Sequence, residues 1–275
     1  MVKILLNYDY AQYPSTTASY LEMAGKRMAG VQIYRRDEID PSTVDLIINV
    51  MPCESLVVAP NVKSCYWEID CHIVQGQYKE AYKMVDHVFI AQSPFLGFYP
   101  PEKTSYLPLA CEPTVHHLQE TEKVKYDIGF IGNDTYPRRR RLLDQLGTKY
   151  RLLRTNTPPG LPYSRALSSC KLTFNCSLMF DVNMRFFEAI AIGRLLLSDY
   201  LPEQDQFAKD GEHYRVYAEW KDLVQTIDYY LTHDREREMI AKAGSNHILR
   251  HHTYSHRLRE IIRAMGLSTE ETPQK

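Results

Sequence analysis

The sequence lacks the patterns typical of proteins stabilised by a bound metal ion and of membrane-spanning proteins. Its six cysteines form no C-x-x-C pair and show no zinc-ligand spacing. No apolar run approaches the roughly 20 residues of a membrane span. The opening residues, M-V-K-I-L-L-N-Y-D-Y, have too short an apolar run for a signal peptide. We therefore expect a cytoplasmic protein whose cysteines stay reduced.

The chain also lacks an excess of either charge. It has 33 Lys+Arg and 34 Asp+Glu among 275 residues, a net charge of −1. This balance argues against a protein that coats nucleic acid or membrane through bulk charge, although it leaves room for a local basic groove. A length of 275 residues with 44% hydrophobic residues suits two compact domains.

Short apolar runs alternate with helical periodicity along both halves of the chain, which predicts two doubly wound α/β domains. The pattern lapses over residues 110–125, A-C-E-P-T-V-H-H-L-Q-E-T-E-K-V-K, where we place the interdomain link and expect His116 and His117 at the surface. The predicted domains are 1–115 and 116–267, the second including the closing helices. The tail 268–275, S-T-E-E-T-P-Q-K, is predicted to be disordered.

Ligands in open α/β sheets bind beyond the carboxyl ends of the strands, so the loops there are the candidate sites. One loop reads G-N-D-T-Y-P-R-R-R-R and enters a helix for which Asp134 or Thr135 is the expected cap. It lacks the full G-x-G-x-x-G pattern. Arginines in a first helical turn are unfavourable unless an anion is near, so we expect this loop to hold a diphosphate; the alternative is an exposed basic surface. The candidate binding residues are Gly132, Asn133, Arg138, Arg139 and Arg141.

A second candidate is the helix in M-R-F-F-E-A-I-A-I-G-R-L-L-L-S-D, which carries Arg185 and Glu188. The two could form an intrahelical salt bridge, because residues three apart share a helix face. Alternatively, the Glu188 carboxylate accepts hydrogen bonds from the two hydroxyls of a ribose, as acids do in dinucleotide sites. The apolar neighbours bury most of this helix, so its polar groups need partners, and this favours the ribose.

The stretch C-Y-W-E-I-D-C-H places Glu68, Asp70 and His72 on one face of an extended strand. We choose Asp70 as a general base for an acceptor hydroxyl, with a solvated strand end as the alternative. His252 and His256 share a helical spacing suited to two metal ligands, but no third ligand is evident, and we predict no metal site.

The motifs together resemble a known family. The stretch containing Arg185 and Glu188, the strand Y-D-I-G-F-I-G-N with R-R-R-R-L-L after it, Y-L-P-L-A-C-E-P, and H-H-T-Y-S-H-R resemble GT-B glycosyltransferases, in particular the CgeB-like branch of the group-1 (GT4-type) superfamily. The resemblance covers roughly residues 106–265. It implies two Rossmann-like domains facing a central cleft, with an acceptor domain first and a nucleotide-sugar domain second.

The resemblance also implies the chemistry. A sugar would pass from a nucleoside-diphosphate sugar, most often a UDP-sugar, to an acceptor hydroxyl without a metal or a tightly bound cofactor. Glu188 would hold the ribose and Arg185 would assist catalysis. The E-x7-E pair of the superfamily is incomplete, because Phe180 stands eight residues before Glu188, and the neighbouring Asp181 is the candidate substitute.

Several alternatives stay open at this point. The fold could serve a non-catalytic nucleotide-sugar-binding module or a sugar-nucleotide epimerase. The acceptor could be a small molecule, a glycan or modified DNA, the last suggested by the basic residues between 138 and 165.

Overall fold

The computed structural model describes residues 1–11, 16–71, 80–120, 122–179 and 181–269. It divides into two compact units. The first comprises Met1–Ala110 together with the chain from Tyr254 onward, and the second comprises Cys111–Thr253. The expected division had placed residues 254–267 in the second domain. The tail predicted to be disordered is residues 268–275, and of these residues 270–275 lie outside the described ranges.

The first unit is built on a parallel sheet of six strands in the order β2-β1-β3-β4-β5-β6. Its strands are β1 (Val2–Asn7), β2 (Val31–Arg35), β3 (Leu46–Val50), β4 (Lys63–Glu68), β5 (His87–Ile90) and β6 (Thr104–Tyr106). Its α-helices are α1 (Thr17–Arg27), α2 (Ala81–Met84) and, from the end of the chain, α8 (Tyr254–Ala264). Short 3-10 helices cover Pro41–Thr43, Ser93–Phe98 and Pro101–Lys103. Every residue of β3 is buried, as expected for a parallel strand covered on both faces.

The last helix joins the first unit through packing and hydrogen bonds. The rings of Tyr254 and Tyr20 have centroids 5.6 Å apart, and the buried Arg257 donates from Nε to the Pro108 carbonyl at 2.8 Å. A methyl group on Gly25 of α1 would lie 3.2 Å from Leu258, so the two helices approach closely. These contacts join residues more than 100 positions apart, which explains why reading the chain in order assigned this helix to the second domain.

The second unit is built on a parallel sheet of five strands in the order β11-β10-β9-β7-β8. Its strands are β7 (Tyr126–Ile131), β8 (Leu152–Thr155), β9 (Cys170–Asn175), β10 (Leu195–Asp199) and β11 (Arg215–Tyr217). Its α-helices are α3 (Pro137–Lys149), α4 (Leu161–Ser168), α5 (Met184–Ala191), α6 (Trp220–Thr232) and α7 (Asp234–His251), with a 3-10 helix at Pro202–Gln206.

Helix α5 is held on both sides by apolar packing. Phe186 and Phe187 are fully buried, and the side chain of Asn183 caps the helix by accepting from the Phe186 amide at 3.3 Å. Helix α7 packs on α5 at Gly244, where a methyl group would lie 2.1 Å from the His213 carbonyl oxygen and 2.9 Å from Ile190. The position of α5 therefore depends on a glycine in the neighbouring helix.

We expect Gly244→Ala to destabilise the protein, although glycine-to-alanine changes in helices usually stabilise by about 0.5–1 kcal/mol. The backbone of His213 cannot yield as a flexible side chain can, so overpacking should cost about 1–3 kcal/mol. Urea denaturation measures the change in the free energy of unfolding.

Gly147→Ala in α3 is the matched control, because its new methyl group would meet only Leu152 at an ordinary 3.7 Å. We expect this control to leave stability unchanged or raised. Equal effects of the two substitutions would contradict the close packing at Gly244.

Candidate functional site

The candidate site lies between β7 and β9, where the order in which the chain adds strands to the second sheet reverses. The chain leaves β7 for β8 on one side, and β9 pairs with β7 on the other. The loops that follow β7 and β9 therefore diverge at the carboxyl edge of the sheet and leave a crevice, which is the usual ligand position in open α/β sheets. These loops are residues 132–136 and 176–183.

Arg185 is half-buried in the first turn of α5 and reaches this crevice. Its Nε donates to the Ile131 carbonyl at 2.8 Å, and its Nη1 donates to the side-chain oxygen of Asn175 at 3.1 Å. The guanidinium carbon lies 4.6 Å from the centroid of the buried Phe130 ring, within range of a cation–π interaction. The side chain is therefore fixed at the ends of β7 and β9.

Gly132 makes this placement of Arg185 possible. A methyl group at Gly132 would lie 2.1 Å from Nη2 of Arg185, and the backbone φ of +138° is one that residues with a side chain rarely adopt. The glycine predicted from the loop sequence thus admits an arginine from a distant helix.

Arg139 joins the two loops through hydrogen bonds to the backbone of each. Its Nε and Nη2 donate to the Cys176 carbonyl at 3.0 and 2.6 Å, and its Nη1 donates to the Asn133 carbonyl at 2.7 Å. Only 3% of its surface is exposed. Arg139 was predicted to contact a ligand, whereas its guanidinium is buried and engaged with backbone oxygens.

Neither guanidinium forms an ion pair with a carboxylate among the described residues. Arg139 and Arg185 hydrogen-bond only to neutral oxygens. Burial and the neighbouring Arg185 lower the pKa of Arg139, against the weaker opposing effects of Asp181 and Asp199. Two buried or half-buried positive charges in one place are costly without a negative partner. The site is thus electrostatically suited to an anion.

Asp181, in the loop before α5, is the acidic residue that influences both guanidiniums, and it is only 5% exposed. Burial raises its pKa to about 6, against the opposing effects of the Leu178 amide, Arg139 and Arg185. Its Oδ1 accepts from the Leu178 amide at 2.8 Å, which shapes the loop before α5. Phe180, at the first position of E-x7-E, lies outside the described residues.

Glu188, one turn after Arg185, does not pair with it, so the intrahelical salt bridge is excluded. Its Oε1 lies 3.1 Å from Nε2 of His116, and Glu188 itself is 5% exposed. His116 was expected at the surface but is fully buried. The sequence E-P-T-V-H explains this, because it folds into a turn that directs the histidine inward.

A cavity of about 440 Å³ adjoins the crevice on the side of β10 and β11. The residues that matter for its chemistry are Tyr136, Arg138, Ser177, Met179, Asp199 and Tyr200. Arg138 donates from Nη1 to Asp199 at 2.6 Å, and its side chain is about half exposed. Asp199 was not predicted as a site residue, although its place at the carboxyl end of a buried strand was a usable signal.

The remaining predicted residues, Asn133 and Arg141, lie at the surface. Asn133 is exposed and its side chain accepts from the amide and hydroxyl of Thr135. Arg141 is exposed on α3 and is not among the described residues that line the cavity. The expected cap of α3 is corrected, since the helix begins after Tyr136 without a side-chain cap and Asp134 instead binds Arg154 at 2.6 Å.

In the first unit, β4 ends at Glu68, so the argument that Glu68, Asp70 and His72 share a strand face is wrong for Asp70. Glu68 is 2% exposed, accepts a hydrogen bond from the Tyr99 hydroxyl, and has a pKa raised by burial. Asp70 follows in the loop and is half-buried, and His72 lies outside the described residues.

Part of the basic stretch between residues 138 and 165 is paired with acidic residues. Arg151 pairs with Asp127 at 2.7 Å, Lys149 pairs with Asp228 at 2.8 Å, and Arg154 lies between Asp134 and Asp144. Arg140 and Arg141, both exposed on α3, lie outside these ion pairs.

His252 and His256, considered as a pair of metal ligands, do not share a helix, because His252 follows α7 and His256 lies in α8.

Neither a metal cluster nor a membrane-crossing helix is found in the described ranges. They contain no group of three or more His, Cys, Asp or Glu side chains able to hold a metal ion. Within the same ranges, no helix combines the length and apolar character needed to cross a bilayer.

Comparison with known proteins agrees with this geometry. The family described as "Glycosyl transferase-like" matches residues 114–263, which is more than half of the 275 residues. The chain belongs to this glycosyl transferase-like family. The prediction of a glycosyltransferase enzyme is confirmed, whereas the CgeB-like branch stays a prediction. No curated protein sequence matches the chain.

Solved structures confirm the predicted GT-B fold class. Anabaena Alr3699/HepE, solved with UDP and glucose, superposes with a TM-score of 0.65 at 10% identity, over 97% of this chain and 100% of that one. T4 phage BGT, solved with its UDP-glucose substrate, gives 0.67 at 13% identity, over 97% and 100%. The DNA modifying enzyme β-glucosyltransferase gives 0.65 at 14% identity, over 96% and 100%. Identities this low show a shared fold alone.

We expect Asp181→Asn to stabilise the protein above pH 6. The native carboxyl keeps its proton up to about pH 6, whereas the unfolded one ionises near its ordinary value of 3.8. The charged form is thus disfavoured by folding, so stability falls between these pH values and stays low above them. A rise of about two pKa units corresponds to about 3 kcal/mol, which is the upper limit of the gain.

Melting temperatures measured from pH 4 to 8 test this. Asp127→Asn serves as the control of opposite sign, because the Arg151 guanidinium lowers the pKa of Asp127 and its loss should destabilise above pH 4. If the gain in melting temperature of Asp181→Asn does not grow with pH, the raised pKa of the buried Asp181 carboxyl is contradicted.

Proposed function

We propose that the donor of this glycosyltransferase is a UDP-sugar, bound at the carboxyl edge of the second unit. The observation that supports this best is the pair of guanidiniums, Arg139 and Arg185, held by neutral oxygens beside Gly132. A diphosphate would supply the missing negative charge. HepE and T4 phage BGT, which share the fold, were solved with UDP or UDP-glucose.

The diphosphate would lie over the loop after β7. Arg185 places Nη2 in the space that a side chain at Gly132 would fill, so its charge lies directly against this loop. The start of α3 has no side-chain cap, so its first amides are available to phosphate oxygens. Arg139 is only 3% exposed, but it lines the adjoining cavity and adds its charge to the field at this point.

Glu188 would bind the ribose through its carboxylate, whose Oε1 lies 3.1 Å from Nε2 of His116. The adjoining cavity would receive the sugar, whose apolar C–H faces suit the rings of Tyr136 and Tyr200 and whose hydroxyls suit Arg138 and Ser177. In the reaction, the bond between the sugar and the diphosphate breaks while an acceptor oxygen bonds to the sugar. Fixed positive charge at the crevice stabilises the departing UDP.

Asp70 is proposed as the base that takes the acceptor proton, because it is a half-buried carboxylate just beyond the carboxyl end of β4. We propose that the reaction needs no metal, since Arg139 and Arg185 supply positive charge for the leaving group. T4 phage BGT has also been solved with UDP and Mn²⁺, so activity should be compared with and without chelator.

The acceptor is proposed to be a small molecule or a glycan. Modified DNA is the second candidate, because the DNA modifying enzyme β-glucosyltransferase shares the fold. The pairing of Lys149, Arg151 and Arg154 with acids weakens it. A cytoplasmic location is proposed because all six cysteines are buried thiols.

We expect Glu188→Ala to weaken UDP binding by about 10- to 100-fold, the range for losing hydrogen bonds to a charged group. Isothermal titration with UDP measures the affinity. Glu212→Ala, which removes an exposed carboxylate of the same unit, is the control and should bind as the wild type does. Unchanged affinity in Glu188→Ala would overturn the ribose contact.

We expect Asp70→Asn to lower kcat for sugar transfer by about 100-fold or more, with UDP affinity kept within about threefold. UDP release from a panel of UDP-sugars, with and without candidate acceptors, measures the rate. Glu54→Gln, an exposed acid of the same unit, is the control. A normal kcat in Asp70→Asn would exclude Asp70 as the base.

A further inference from the structure

We propose that Gln92 is a positioning residue for Asp70, because its side chain binds the backbone on both sides of that aspartate. The inference rests on the proposed role of Asp70 as the base in sugar transfer. Gln92 is 2% exposed and follows β5, whereas Asp70 follows β4. The two residues are distant in the chain, and the neighbouring strands of the first sheet bring them together.

The pairing of these two strands sets the placement. β4 and β5 are parallel, and Glu68 is the partner of Ile90 at their carboxyl ends. Asp70 and Gln92 each stand two positions beyond this last pair, so they lie at the same level of the sheet edge. The Ala91 amide donates to the Glu68 carbonyl at 3.0 Å, so backbone hydrogen bonds join the two segments up to this point.

Beyond this point the Gln92 side chain takes the place of the backbone. Its Nε2 donates to the Ile69 carbonyl, and its Oε1 accepts from the Cys71 amide at 3.3 Å. In a parallel ladder, the backbone of one residue bonds to the two neighbours of its partner, and here a side chain makes the same pattern around Asp70. A primary amide is suited to this place because it donates and accepts at once.

Hydrogen bonds on both sides of Asp70 fix the two peptide planes that flank it. The direction of its Cα–Cβ bond follows from these planes, so Gln92 sets where the carboxylate lies. The preceding residue is held as well, since the Tyr99 hydroxyl donates to the Glu68 carboxyl group. A general base must lie within hydrogen-bond reach of the proton that it takes, and a displacement of about 1 Å can cost about 100-fold in rate.

The test uses Gln92→Met, which keeps the length of the side chain and removes its amide. UDP release measures kcat, with the UDP-sugar and acceptor that the wild type turns over fastest. We expect kcat to fall by about 10- to 100-fold, because the base is displaced. UDP affinity, measured by isothermal titration, should stay within about threefold of the wild type, because the donor is proposed to bind the second unit.

A double-mutant cycle separates positioning from a general structural role. In the Asp70→Asn background we expect Gln92→Met to change kcat by less than about threefold, because a residue that acts through the Asp70 carboxylate has nothing left to position. A role in stability alone would lower kcat equally in both backgrounds.

Asp86→Ala is the matched control. Asp86 accepts from the Ser64 amide at 2.8 Å, so its side chain joins the same two strands at their amino ends, away from Asp70. We expect this substitution to leave kcat unchanged in both backgrounds.

The outcomes separate this inference from the proposed function. If Asp70→Asn keeps a normal kcat, Asp70 is not the base and the role of Gln92 fails with it. If Asp70→Asn lowers kcat but Gln92→Met does not, or lowers it equally in both backgrounds, the base stands and the positioning role is overturned.

Gln92→Glu covers the case in which Gln92→Met does not fold. An ionised carboxylate at this position can accept from the Cys71 amide, but it cannot donate to the Ile69 carbonyl. We expect kcat at pH 9 to be about tenfold below that of the wild type, and a loss of less than about threefold would contradict the positioning role.

Discussion

Positive charge without a directly paired carboxylate, at the carboxyl edge of the second sheet, is the constraint on which the site depends. Arg139 and Arg185 are held by carbonyl and amide oxygens, and no carboxylate in the described ranges pairs with either. Such an arrangement costs stability in the empty protein and returns it when an anion binds. The same two arginines hold the loops after β7 and β9 in place. Removing either guanidinium is therefore expected to affect both anion binding and the conformation of these loops.

The sequence contained most of the fold and part of the site. Parallel strands buried on both faces appear as short apolar runs, and helices alternate with them, so the α/β class followed from local pattern. Gly132, Arg185 and Glu188 were predicted because each stands at a strand end or on a short buried helix. Both features can be read within about ten neighbouring residues.

What could not be predicted rests on contacts between distant segments. His116 looked like a surface residue because its neighbours are polar, and its inward turn depends on hydrogen bonds to Glu112 and on Ser164. Four consecutive arginines look alike in sequence, yet Arg139 is buried and Arg141 is exposed, because helical geometry turns each by about 100° from the last. Asp70 was assigned to a strand that ends two residues earlier.

The bridging of two loops by one guanidinium has a consequence for exchanging parts between relatives. Arg139 donates hydrogen bonds to the carbonyls of Asn133 and Cys176 at once. A change of length in either loop would displace one of these oxygens and so disturb the guanidinium that holds the other loop. The loops after β7 and β9 should therefore be inherited as a matched set. Grafting one of them alone from a protein of different sugar preference would leave a buried cation without its ligands.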